Sequence, residues 1–356
     1  MKNIVLCFDG TWNDPAMRDG DAAVTTNVCK LFEATIDDSS QHKWYDKGVG
    51  TQGLIDKFLG GGIGVGLNEN VREGYAQLLE NYKEGDQVFL FGFSRGACTA
   101  RSLAGLLNSC GLVQKDKWEN SGKKWEVNRV VDYVFDVYKR SRRFNLRSHN
   151  IAIEFKKRFS ISGCIHLIGV WDTVNSLGLI MDSWNRVARK LGLFCFHDVR
   201  LRKNVMHAYH ALAIDEQRWC FYPRLWDSDD IKRAKGEVEQ VWFAGVHGNV
   251  GGSYEDAGLS DIALNWILCH AVNKGLRIDW KKLNLKPNPH GKLRLSHKEG
   301  FWKYSFLKYM RKIPNNAKIH ESVLKRIEKT SNKTTPQTRY ERRSSHTYVI
   351  TPPLDS

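Results

Sequence analysis

The sequence predicts an α/β fold with a mainly parallel central sheet and helices on both faces. Short continuous apolar runs at residues 4–8, 88–93, 164–171 and 238–246 read as strands buried on both sides. They alternate with stretches of helical periodicity, the order expected of β-α-β units. The chain's 356 residues, 42% of them hydrophobic, suffice for a large core and exclude a wholly disordered polypeptide.

Residues 4–8, IVLCF, end in the turn-prone DGTWND and form the first strand with its C-terminal loop. Thr26 is placed to cap a helix carrying Val28, Leu31, Phe32 and Ile36. A short strand follows at residues 42–45, and the glycine-rich residues 60–66 read as a loop. Val71, Tyr75, Leu78, Leu79 and Tyr82 recur at the spacing of one helix face. VFLFGF at 88–93 is the next buried strand, and RGACTARSLAGLL supplies a helix rich in small residues after it. CIHLIGVW and VEQVWFAGV make two further strands. A helix opening at a Ser260 cap closes at Gly275. VMHAYHALAIDE, with His207 and His210, is read as a core or surface helix, and residues 317–329 as another.

Two segments break this rhythm. Residues 115–158 carry 13 basic and six acidic residues and are expected as an insertion or cap. The α/β core is then expected at 1–114 with 159–275, and 276–356 as a basic helical region and tail. The polar tract at 330–346 reads as a loop, a surface arm or a partly disordered stretch.

Lysine and arginine number 54 against 39 acids, a net charge of +15. Such a surplus points to nucleic acid or an anionic membrane surface. Its distribution matters more, because 20 basic and six acidic residues fall within 273–356, leaving the remainder nearly neutral. The eight cysteines contain no CxxC pair, which excludes a zinc ribbon or a thioredoxin-like dithiol. No run approaches the roughly 18 apolar residues of a membrane span, and Asp9 interrupts any N-terminal leader. A cytoplasmic protein with reduced thiols is expected, with peripheral membrane attachment or a signal-less export route open.

The sharpest local signal is Gly92-Phe93-Ser94-Arg95-Gly96, a G-x-S-x-G between a strand and a helix. A serine on so tight a turn is lifted above the sheet, at the positive end of the following helix, and its neighbours two away must be small. This is the nucleophile elbow of α/β hydrolases, and the expected partners follow later strands in the order acid, then histidine. Asp172 directly follows CIHLIGVW, and His247 directly follows QVWFAGV. His320 is held in reserve as the base. The backbone amide of Arg95 and that of Gly10 or Thr11 are the candidate oxyanion donors. Asp9, in DGT after a buried strand, resembles an aspartyl nucleophile, but Thr11 stands where a haloacid-dehalogenase pattern has its second acid. His207 and His210 have no third ligand at metal spacing, residues 60–66 lack a P-loop or dinucleotide pattern, and neither metal nor cofactor is expected.

FDGTWN, WYDKGVGT, FLFGFSRGACTAR, GVWDTVNSLG, HALAIDEQR, VWFAGVHGNVGGSYED, LSDIALNWI and IHESVLKR occur in this order. Together they resemble an uncharacterised bacterial and fungal α/β-hydrolase domain that also forms the catalytic part of type VI secretion phospholipase effectors. The resemblance spans roughly residues 2–326. It implies an esterase acting on glycerophospholipid acyl esters through a Ser-Asp-His triad that maps onto Ser94, Asp172 and His247. The family's loop is close to HSDVGGG, whereas this chain reads HGNVGGS, with Asn249 where a carboxylate usually stands.

The expected function is therefore a serine ester hydrolase, lipase- or phospholipase-like, drawn to anionic lipid by its basic regions. A nucleic-acid or acidic-partner binder is the alternative, because Trp302, Tyr304, Phe306 and Tyr309 interleave with Lys303, Lys308 and Arg311. A toxin or defence component that requires a protein activator or meets an immunity partner is a third reading.

Overall fold

Ile4, Leu6 and Phe8 of strand β1 (Asn3–Phe8) face one side of the central sheet, and Val5 and Cys7 the other. Both sets are buried, which is why the strand is apolar without alternation. The computed structural model describes residues 1–10, 18–19, 22–48, 63–142, 146–174, 198–298, 309–328, 338, 340 and 344–354. The remaining central strands are β2 (Gln41–Asp46), β3 (Gln87–Phe93), β4 (Ile165–Trp171), β5 (Val205–Ala213), β6 (Glu237–Phe243), β7 (Lys318–His320) and β8 (Thr347–Val349). Their order is β8-β7-β6-β5-β4-β3-β1-β2, and every pairing is parallel.

The chain passes from β1 out to β2 and then returns to β3 on the opposite flank of β1. Such a reversal, at the carboxyl ends of β1 and β3, marks the usual ligand position in an open α/β sheet. Phe8 pairs with Gly92, so the ends of these two strands lie side by side. Phe93 pairs with Trp171, which places the ends of β3 and β4 together as well.

One face is covered by α2 (Ile63–Asn81), α3 (Arg95–Cys110), α5 (Val127–Ser141) and α6 (Leu146–Phe159), the short α4 (Lys115–Glu119) preceding α5. Val130, Val134, Phe135, Tyr138, Phe155 and Phe159 share a single cluster with Leu6, Leu90 and Val170, so the 115–158 segment packs into the same core. The other face is covered by α1 (Asn27–Ala34) and α9 (Gly258–Asn273), whose Trp266, Ile267 and Ala263 meet Phe89, Phe91 and Trp171. Between β5 and β6 lies the short α7 (Ser228–Arg233). Leu212 and Trp242 meet Ile319, Val323 and Tyr340 in a third cluster, tying the C-terminal region to the sheet.

Several local expectations are corrected. VMHAYHALA is strand β5, not a helix. His207 and His210, three apart, therefore face opposite sides of the sheet and form no ligand pair. Helix α9 begins at Gly258, and Ser260 sits inside it, its hydroxyl donating to the Ala257 carbonyl. Gly275 does follow the helix end in a left-handed conformation at φ 95°. Residues 317–329 open with strand β7 before helix α10 (Glu321–Glu328). Helix α2 begins at Ile63, so the later part of the glycine-rich stretch is helical, and residues 60–62 lie outside the described residues. The tract before residue 346 returns to the sheet, with Thr338, Tyr340 and His346 buried and β8 pairing with β7. Trp302, Lys303, Tyr304, Phe306 and Lys308 lie outside the described residues. No helix among the described residues is long and apolar enough to cross a membrane.

Candidate active site

Ser94 forms the corner between β3 and α3, with φ 59° and ψ −118°. This left-handed backbone is costly for any residue with a side chain and is held by its surroundings. A Cβ on Gly92 would stand 2.5 Å from the Gly96 carbonyl oxygen, and one on Gly96 would collide with the Phe8 carbonyl. Both glycines of the motif are therefore fixed by close backbone approach. The Ser94 amide donates to the Trp171 carbonyl at 3.0 Å, anchoring the corner to β4, and its hydroxyl does not cap the helix.

Asp172, the first residue after β4, is also left-handed, with φ 40°. Among the described residues only one other non-glycine, Ser253, shares that sign. Asp172 is completely buried, and its Oδ2 accepts from His247 Nδ1 at 2.6 Å. This bond joins the ends of β4 and β6, because His247 opens the short helix α8 (His247–Gly251) just beyond β6. The imidazole packs between Phe93 and Phe221, with ring centroids at 4.6 and 4.7 Å. Ser94, Asp172 and His247 thus stand on three loops at one edge of the sheet.

Asp172 has further partners that periodicity and motif spacing did not point to. Arg311 Nη1 donates to Oδ1 at 2.5 Å and Nη2 to Oδ2 at 2.8 Å, and the Ala213 amide donates to Oδ1 at 3.0 Å. The same guanidinium reaches the Ala213 and Phe221 carbonyls at 2.8 and 2.6 Å. Burial alone would raise the Asp172 carboxyl, but the charge of Arg311 and the His247 hydrogen bond outweigh it and hold it far below the carboxylate range. Burial pushes the His247 imidazole below its ordinary value, while the bond to Asp172 works the other way.

Glu216, in the IDEQR segment, anchors the histidine's backbone. Its Oε2 accepts from the His247 amide at 3.1 Å, and Arg218 grips both oxygens at 2.9 and 2.8 Å. Burial would raise this carboxyl, yet Arg218 lowers it to about 2. From below, Asn27 Nδ2 donates to the Val250 and Ser260 carbonyls at 2.9 and 3.0 Å. Asn249 Oδ1 accepts from the Val246 and Arg294 amides, and its Nδ2 donates to the Lys292 carbonyl at 3.0 Å. An aspartate could not donate that last bond, so the amide suits this chain's loop.

The other predicted residues are distributed as follows. Asp9 is buried at the end of β1, its Oδ1 taken by the Gly10 amide at 2.7 Å and its Oδ2 by the Thr26 hydroxyl and Tyr45 Oη. Bonded in this way it ties β1 to α1 and β2. The Gly10 N–H is already engaged with Asp9, which leaves it unavailable as an oxyanion donor in this conformation. Thr11 lies outside the described residues. His320 stands at the end of β7, stacked on Phe243 and bonded to Ser322 and Thr351 at 2.9 and 3.2 Å. Both of its ring nitrogens are thus engaged near β7, while the histidine bonded to Asp172 is His247. His210 is buried, accepting from the Thr173 amide at 3.2 Å. Among the described residues no cluster could hold a metal ion.

Residues 2–270 match the family described as "T6SS, Phospholipase effector Tle1-like, catalytic domain". The chain belongs to this Tle1-like family. Membership supports chemistry of the lipase or phospholipase type for the catalytic domain. A similar curated protein, the uncharacterized YEL023C of Saccharomyces cerevisiae, is 29% identical over 245 residues, covering 62% of this chain and 33% of the yeast protein. An uncharacterized protein from Pseudomonas aeruginosa has a crystal structure with 18% identity and TM-score 0.45, covering 81% of this chain and 47% of that one. The Tle1 effector bound to the VgrG spike of the type 6 secretion system gives 18% identity and TM-score 0.38, covering 72% of this chain and 52% of that one. The chain therefore spans about a third of the yeast relative and about half of each solved chain. Arg311 falls beyond the matched Tle1-like region, in the C-terminal segment.

Proposed function

We propose that this Tle1-like protein is a serine ester hydrolase that cleaves acyl esters of glycerophospholipids. The observation that carries the reading is the buried 2.6 Å bond between His247 Nδ1 and Asp172 on loops flanking the strained Ser94. With Nδ1 held by the carboxylate, Nε2 is the nitrogen left to take a proton from the serine hydroxyl. Ser94 Oγ attacks the ester carbonyl, and His247 returns the proton to the leaving alcohol. Asp172 fixes the tautomer and balances the imidazolium. Water then repeats the sequence on the acyl-enzyme and releases the fatty acid. The Arg95 amide, in the first turn of α3, is the donor proposed for the oxyanion, with a second from the loop after β1.

The partner surface proposed is an anionic membrane. The basic residues of 115–158 and of the C-terminal region support it, at about 1 kcal/mol per Lys or Arg close to the lipid. Part of that surplus is structural, however. Arg311 and Arg326 point inward, and Arg277, Arg294 and Lys318 pair with Asp38, Asp19 and Glu239.

The test is labelling by a fluorophosphonate probe, with wild type beside Ser94→Ala, followed by product analysis on a phospholipid panel. Labelling of wild type and not of the variant is expected. A folded wild type that neither labels nor releases fatty acid overturns the reading.

A further inference from the structure

Arg95 directly follows Ser94 and opens α3. The residue is partly exposed, but its guanidinium Nη2 is buried and has no hydrogen-bond partner. Among the described residues no carboxylate faces it, and burial draws its pKa down to about 10, so it remains charged at neutral pH. Arginines buried as whole residues are treated differently. Arg101 donates to the Val199 and Arg224 carbonyls, Arg326 to those of Pro289 and Gly291, and Arg311 to Asp172. Arg95, by contrast, has neither carboxylate nor carbonyl among the described residues.

A guanidinium nitrogen shut off from water with no acceptor is an unsatisfied, charge-bearing donor, and a ligand oxygen placed there would complete it. Position says which ligand. The Arg95 and Ser94 Cα atoms are about 3.8 Å apart, so a substrate whose carbonyl is seated on Ser94 brings its adjoining groups within reach of this side chain. In a glycerophospholipid the phosphodiester lies a few bonds from either acyl ester and carries one negative charge. Its two non-bridging oxygens match the planar fork of a guanidinium.

We propose that the Arg95 guanidinium is the subsite for the phosphodiester of the lipid substrate and makes the site selective for phospholipid over neutral acylglycerol. The assignment rests on the serine-hydrolase reading and names what distinguishes its substrate.

The test uses the full chain carrying Ser94→Ala, titrated with short-chain phosphatidylglycerol below its micelle concentration and, in parallel, with the matching diacylglycerol. Adding Arg95→Met is expected to lower the ratio of the two affinities at least tenfold, with Arg95→Lys intermediate. Inorganic phosphate is expected to displace phosphatidylglycerol from the arginine protein; displacement by fatty acid but not by phosphate would make this a carboxylate site and overturn the proposal. An unchanged affinity ratio, or no phosphatidylglycerol binding at all, overturns it as well. Thermal unfolding supplies a separate readout: removing an uncompensated charge should leave the midpoint of Arg95→Met equal or higher. A drop of several degrees would show that the guanidinium has a structural partner and sink the subsite. Fluorophosphonate labelling separates the two levels. Wild type that labels while the ratio is unmoved refutes the subsite alone, and wild type that does not label refutes the hydrolase reading.

Discussion

Arg311 holds both carboxylate oxygens of Asp172 from 139 positions away in the chain. Both side chains are essentially inaccessible to water. Removing Arg311 would leave the buried Asp172 charge without its counter-ion, a loss of about 3–5 kcal/mol. Arg311→Met is therefore expected to lower the denaturant midpoint sharply without changing the slope, and chemical denaturation followed by fluorescence checks it. A chain ended at residue 298 lacks Arg311, β7 and β8, and it should fail to unfold cooperatively in the same assay.

On the proposed mechanism, the same pair also influences the acid limb of activity. His247 must be neutral to act as a base, and burial already holds it below its ordinary value near 6.5. The limb should therefore lie below about pH 6.5. Removing the guanidinium charge lets the full negative charge of Asp172 act on the imidazole, raising its pKa and moving the limb upward. Arg311→Lys keeps the charge and should move it less. Fluorophosphonate labelling rates across pH, in whatever fraction of each variant is folded, measure the shift.

Ser94 occupies a backbone conformation that costs on the order of 1–3 kcal/mol. Glycine adopts φ 59° without that cost. Ser94→Gly should thus be inactive yet more stable than wild type by about 1 kcal/mol, read as a rise in thermal midpoint. Gly96→Ala should do the opposite, because its new methyl meets the Phe8 carbonyl, a backbone atom of the central sheet. A loss of about 1–3 kcal/mol is expected from that overpacking.

Two buried histidines predict how stability depends on pH. Burial takes His210 to about 3, the Arg101 charge adding to it, and takes His320 to about 4. In the unfolded chain both titrate near 6.5. Below that pH the unfolded state binds protons that the folded state cannot, so stability falls as pH drops from about 6.5 towards 4. Each histidine contributes about 1.4 kcal/mol per pH unit at full effect. His320→Gln should remove about one proton from the slope, measured by denaturant titrations at stepped pH.

The sheet was legible because its strands are buried on both faces and hence apolar throughout, as in Ile4 to Phe8. Strand β5 was misread because His207, Tyr209 and His210 interrupt its apolar run with polar groups. The sheet absorbs them through contacts no local pattern reveals: His210 meets Gln240 on the next strand, and Tyr209 stacks on His270 of α9 at 4.1 Å. At the site, Ser94, Asp172 and His247 each announce themselves by following a strand end. Arg311 does not, because it lies in neither a strand nor a helix, in a lysine-bearing stretch that reads as an amphipathic packing segment. Only the three-dimensional return of the chain to β7 brings it to Asp172.

That return has a consequence for how the protein is made. Synthesis delivers Ser94, Asp172 and His247 well before residue 311 leaves the ribosome, and domains consolidate from the N-terminus as they emerge. A nascent chain thus holds all three groups while the carboxylate still lacks its counter-ion and the outer two strands are missing. Assembly of the proposed hydrolytic centre therefore waits until residue 311 has emerged, so a product stalled before that point is born without a finished one.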